Sequence, residues 1–172
     1  MADFALYVDS LQDLSVALEK IMALTSVRKQ IKVEYSRIPI GAEVDHKAII
    51  DALFDAMPRV TRLQAEEKEL NSLAADYVSR SIKTALRYVL SLEKEDVEDR
   101  SLNGLQKHLQ ILVDVLDAHY IHKGDSNSID EEQFDQALQK LDTFPIESQV
   151  SDIRDIVLKL KLLTISTDVG KK

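Results

Sequence analysis

From Arg59 to Leu92 the chain contains neither glycine nor proline. Val60, Leu63, Leu70, Leu73, Ala74, Tyr77, Val78, Ile82, Leu86, Val89 and Leu92 recur along it mostly at three- and four-residue spacings. A backbone with no turn-forming residue and one slowly drifting apolar stripe can pair its amides and bury that stripe only as a long helix. A helix of about 34 residues is roughly 50 Å long. A compact chain of this length would have a radius of gyration of only about 16 Å. Unbroken, this helix would be longer than such a globule is wide, so an elongated molecule is expected. Pro58 is expected to break or kink what precedes it, because it removes an amide donor and disfavours helical angles at Met57.

The flanking segments carry the same period. Phe4, Tyr7, Leu11, Leu14, Leu18, Ile21 and Met22 mark a helix from Asp3 to about Thr25. Asp45 is placed to cap a helix bearing Ile49, Ile50, Leu53, Phe54 and Met57. Leu102, Leu105, Leu109, Leu112, Val113, Leu116 and Tyr120 form a further stripe that ends at Gly124, with Ile111 and Val115 widening it. Ser128 and Glu131 have capping-box spacing ahead of Phe134, Leu138 and Leu141. Val150, Ile153, Val157, Leu160 and Leu163 give a last helix. Two stretches are ambiguous. Ile31, Val33 and Tyr35 alternate with polar residues as a strand would, and 158–165 has a similar character, so a small β element near 31–40 is an open alternative. The charged run 93–100 should fray the helix before it, since acids oppose the dipole at a helix C-terminus. With 4 Gly and 3 Pro in 172 residues, the expectation is an all-α bundle of long, roughly antiparallel amphipathic helices. It reads as one helical domain over 1–172, or as part of a larger chain.

Composition removes several function classes. With no Cys there is no thiol nucleophile, disulfide or thiolate metal site. With no Trp and 5% aromatics, a base-stacking surface is not expected. The net charge of −8 opposes general polyanion or anionic-membrane binding. No apolar, charge-free stretch suits a membrane span, and the acidic opening lacks a secretory pattern, so the expected location is cytoplasmic or nuclear.

Chemistry-bearing motifs are incomplete. Aligned as a calcium loop, the stretch 122–133 puts His122, Gly124, Ser126 and Gln133 where anionic oxygens are needed, and a capped helix start accounts for the same residues. His119 and His122 share a helical face, and His46 follows Glu43 by three, but neither pair has the carboxylate set of a di-metal bundle. No metal, cofactor or catalytic residue is assigned. Serines lack a glycine-flanked elbow, and no glycine-rich phosphate loop occurs.

Charge alternates in blocks. Arg28, Lys29, Lys32 and Arg37 make 27–40 basic, and Arg80, Lys83 and Arg87 lie on one helical face. That second stripe is the candidate interaction site, expected to be neutralised by neighbouring acids. Two functions follow. The first is a non-enzymatic helical protein–protein interaction module, an adaptor or assembly subunit that binds a protein partner or self-associates. The second is a small subunit of a nucleoprotein complex, using its basic stripes on RNA or DNA backbones.

Overall fold

The structure is a computed structural model that describes residues 3–97, 102–119, 129–145 and 147–165. Among the described residues 88% are helical and none is in a strand. The elements are α1 (Phe4–Ser36), α2 (His46–Ser91), α3 (Lys94–Val97), α4 (Leu102–His119), α5 (Glu131–Asp142) and α6 (Ser148–Ile165). The all-α expectation is correct.

The longest helix is longer than its proline-free run. α2 has 46 residues and continues through Pro58, which extends it to about 70 Å. The expected break does not occur. Pro58 lies on the exposed side, while Ala56 and Val60 on either side of it are buried. The amide that proline lacks therefore leaves the Phe54 carbonyl facing solvent, where water can satisfy it. Asp45 caps α2 as its position implied, its carboxylate accepting from the Lys47 amide at 3.3 Å.

α1 also exceeds its expected length, running 33 residues to Ser36. The β alternative for 31–40 is thereby overturned. Leu24, Val27 and Glu34 are buried, Ile31 is half-buried, and all face α2 at helical spacing, whereas Val33 and Tyr35 remain exposed. A chain with α2 alongside gains more by continuing that face than by alternating. The segment 158–165 is helical as well. The Ser128–Glu131 capping box is corrected too. The N-cap of α5 is Asp130, whose carboxylate accepts from the Glu132 amide, and Ser128 lies outside the described residues. The acidic run after α2 forms the short α3, and residues 98–100 are outside the described set.

α1 and α2 form an antiparallel hairpin. At its lower end the Asp3 amide donates to Ser91 Oγ at 3.0 Å. α4 packs against both α1 and α2, α5 packs against α2, and α6 closes over α4 and α5, so the core is built around the N-terminal half of α1 and the C-terminal half of α2. That core joins Leu14, Ala17 and Ile21 of α1 and Ala74, Val78, Ile82, Leu86 and Val89 of α2 with Leu105, Leu109 and Leu112 of α4, Phe134 of α5 and Ile153, Val157 and Leu160 of α6. Ion pairs clamp α5 to α6: Arg154 to Asp142 at 2.7 Å, and Lys161 to Asp135 at 2.6 Å and Glu131 at 3.3 Å. Beyond Ile21 and before Ala74 the hairpin leaves this base as a two-helix arm. The arm buries only a single seam of Leu24, Val27, Ala56, Val60 and Leu63.

An arm of that length gives a shape test. Small-angle scattering is expected to give a radius of gyration clearly above the roughly 16 Å of a compact chain. A value at that limit would mean that the arm folds back on the base.

Candidate functional site: the arm and its apolar tip

Two cross-hairpin ion pairs set the register of the arm. Arg28 Nε lies 3.1 Å from Glu67 Oε2, and Arg59 Nε lies 2.9 Å from Glu34 Oε2. Glu34 is only 7% exposed and also meets Arg37 at 3.2 Å, while Arg59 reaches Asp55 at 3.1 Å. Two guanidiniums compensate a carboxylate held between the helices, so the chain Arg37–Glu34–Arg59–Asp55 pins one edge of the hairpin. On the other edge Gln64 Nε2 donates to the Tyr35 hydroxyl at 3.5 Å.

This register leaves the first three turns of α2 opposite the loop 37–45, past the end of α1. Ile50, Leu53, Phe54 and Met57 recur there at i, i+3, i+4 and i+7, one helical face with no described helix against it. Phe54 is 69% and Met57 58% exposed, and Ile40 on the loop is 87% exposed. Isolated exposed apolar residues are ordinary, but a contiguous set on one face is characteristic of docking surfaces. Sequence periodicity placed these residues on a stripe without showing that nothing covers it.

The basic stripe expected on α2 lies on the base, not the arm. Arg80 and Arg87 are exposed and Lys83 is half-buried. Arg80 stacks over the Tyr77 ring with its guanidinium carbon 4.9 Å from the centroid, and its charge favours ionised Asp13 across on α1. Burial nonetheless pushes the Asp13 carboxyl above its ordinary value. Among the described residues no ion pair within 4 Å neutralises Arg80, Lys83 or Arg87, so the expected acidic partners are not in contact.

His46 and His119 do not converge. His46 opens α2 at the tip, whereas His119 closes α4 at the base, and His122 lies outside the described residues, as does most of the calcium-like loop. Among the described residues no group of three acidic or imidazole side chains is arranged to hold a metal ion. No described helix is long and apolar enough to cross a membrane.

One functional-looking pair was not singled out by motif. Ser81 Oγ and His108 Nε2 are 3.3 Å apart, both buried, where α1, α2 and α4 meet. The Ser81 hydroxyl donates to the Ser10 carbonyl at 2.7 Å. Its one proton is thus used, and His108 Nε2 carries the hydrogen that it donates to Ser81. The arrangement resembles a nucleophile and base only in its atoms, because no substrate can reach a serine with no exposed surface. It is a polar joint inside the core. The signal for it was in the sequence, since His108 stands on the same helical face as Leu105, Leu109 and Leu112.

Tyr7 roofs this joint, its ring 5.3 Å from Tyr88 and 6.1 Å from His108. Gly104 makes room for it: a Cβ there would fall 2.8 Å from the Tyr7 hydroxyl oxygen and 3.8 Å from Cζ. Gly104→Ala is therefore expected to destabilise by about 1 kcal/mol, despite alanine's better helix propensity. In a Tyr7→Phe background the same change should stabilise by about 1 kcal/mol. Urea unfolding of the four proteins checks the reversal of sign.

Comparison with protein-family models, with curated protein sequences and with solved structures finds no match, so the reading of the site rests on its geometry.

Proposed function

We propose that this chain is a non-enzymatic helical protein–protein interaction module, an adaptor or assembly subunit, whose docking element is the end of the α1–α2 arm. The observation that carries the reading is the uncovered face of Ile50, Leu53, Phe54 and Met57, with Ile40 beside it, on a helix pair projecting from a separately packed base. Helix faces with anchors at this spacing fit a groove or another helix. An aromatic residue and a methionine among the exposed set match the composition of interface centres.

The test compares wild type with a Phe54→Glu/Met57→Glu variant. Both side chains are largely exposed, so the thermal midpoint should stay within a few degrees. Proteins retained by the wild type should be lost by the variant. Identical retention by both would remove the tip from the interaction.

The second reading, a nucleoprotein subunit, draws on Arg80, Lys83 and Arg87, which have no ion-pair partner among the described residues. Against it stand the net charge of −8 and screening over about 8 Å at physiological salt, which confines the stripe's attraction to its surroundings. We expect no binding of single- or double-stranded oligonucleotides at physiological salt. Binding that falls steeply with salt and vanishes when the three residues become glutamate would replace the adaptor reading.

A further inference from the structure

We propose that the partner of the arm is a second copy of this chain, the two arms packing antiparallel so that the tip of each lies on the shaft of the other. The proposal rests on the reading of the arm as a docking element and names its occupant.

Charge along the arm is divided into two zones. On the shaft, Arg28, Lys29, Lys32 and Arg37 stand against one acid, Glu34, so residues 28–37 carry a net +3. The α2 stretch beside them adds no net charge, since Arg59, Arg62 and Lys68 balance Glu66, Glu67 and Glu69. At the tip, Glu43, Asp45, Asp51 and Asp55 stand against one base, Lys47, so residues 43–55 carry a net −3. The ion pairs Arg28–Glu67 and Arg59–Glu34 place the positive zone behind the negative one along the arm axis.

Two such arms side by side in parallel would set like charge on like. Turned antiparallel by a two-fold axis, each negative tip meets a positive shaft, and the symmetry makes the match twice. The groups needed for it are not consumed within the chain: Lys29, Lys32, Glu43 and Asp51 are exposed and have no ion pair among the described residues. The same rotation lays each apolar face, Ile50, Leu53, Phe54 and Met57, along the shaft of the other copy, where Val33 and Tyr35 are each 48% exposed beside Lys29 and Lys32. A purely basic partner would match the tip but leave the lysines of the shaft unmatched. A second copy matches both zones.

The experiment measures mass by sedimentation over a broad dilution series. The wild type should approach twice 19.4 kDa at high concentration and dissociate on dilution. Phe54→Lys, which removes the aromatic contact and sets positive charge against the positive shaft, should weaken association at least tenfold while leaving the far-ultraviolet spectrum and thermal midpoint of the monomer unchanged. Lys29→Glu/Lys32→Glu and Glu43→Lys/Asp51→Lys should each abolish it, because each variant now sets like charge on like. Mixing the two charge-reversed proteins should restore a dimer, since each tip again faces a shaft of opposite sign.

A wild type that stays monomeric at every concentration overturns the second-copy proposal, and leaves the adaptor reading to its own retention test. A dimer that survives Phe54→Lys, or charge-reversed variants that fail to recover on mixing, overturns it as well by placing the contact elsewhere.

Discussion

Lowering the pH from 7 to about 4 is expected to remove about 3 kcal/mol of folding stability through one residue, His108. Its imidazole is 2% exposed, and burial pushes its pKa down from 6.5 to about 4. The native ring is neutral and the unfolded one titrates normally. Below pH 6.5 the unfolded chain therefore takes up a proton that the folded chain refuses until about pH 4. Stability is fully present above 6.5 and declines across that window, by at most about 1.4 kcal/mol per pH unit. The cause is specific to the joint. Nε2 donates to Ser81, and Nδ1 is buried with no hydrogen-bond partner among the described residues, so a second proton there would meet no acceptor and no water. Asp13 acts with the opposite sign at lower pH, because its carboxyl is raised. The comparison is cleanest between pH 6.5 and 5. His108→Gln, which keeps a donor near Ser81 without a titrating group, should flatten the slope in that range. Urea unfolding at a series of pH values checks it. An unchanged slope in the variant would assign the dependence to other groups.

Truncating Phe134 should have the largest effect of any single side chain, about 3–5 kcal/mol. It is fully buried on α5 in the core shared by α2, α4 and α6, and its loss leaves a cavity that four helices cannot all close on. Leu63→Ala in the arm should behave differently. Leu63 is buried in a seam between only two helices, so its loss weakens a part that can open without the base. Hydrogen exchange reads the difference. Phe134→Ala should speed exchange of the slowest amides of α2 and α4, which require global unfolding. Leu63→Ala should speed exchange in 22–36 and 46–70 and leave the base amides unchanged. Uniform acceleration by both variants would show that arm and base unfold as one unit.

Had a partner of opposite chemistry been written into the arm, a single sign of charge would be enough on its surface. The division into a positive shaft and a negative tip instead follows chain order, because the loop 37–45 separates a basic segment from an acidic one. It becomes a spatial arrangement only because α2 begins beyond the end of α1.

Helix identity was legible in the sequence wherever an apolar stripe ran without glycine or proline, since local backbone preference and burial then agree. This covered the N-terminal part of α1, the 59–91 part of α2, α4, α5, and α6 up to about residue 157. The Asp45 cap was legible for the same reason, being a local hydrogen bond. Apart from the α5 cap, where Asp130 stands in place of Ser128, what local sequence left open, or decided wrongly, lay where a neighbouring helix outweighed it. The continuation of α1 through the alternating segment 31–36 depends on α2 lying against Leu24, Val27 and Glu34. Passage of α2 through Pro58 depends on Ala56 and Val60 being buried while the proline faces water. The status of the apolar residues was beyond sequence altogether. Val60 and Phe54 are equally apolar members of one helix, yet one is buried and the other 69% exposed, because α1 ends before it reaches the second. Periodicity reports which residues share a face. Only the packing of the other helices decides which part of that face is left for a partner.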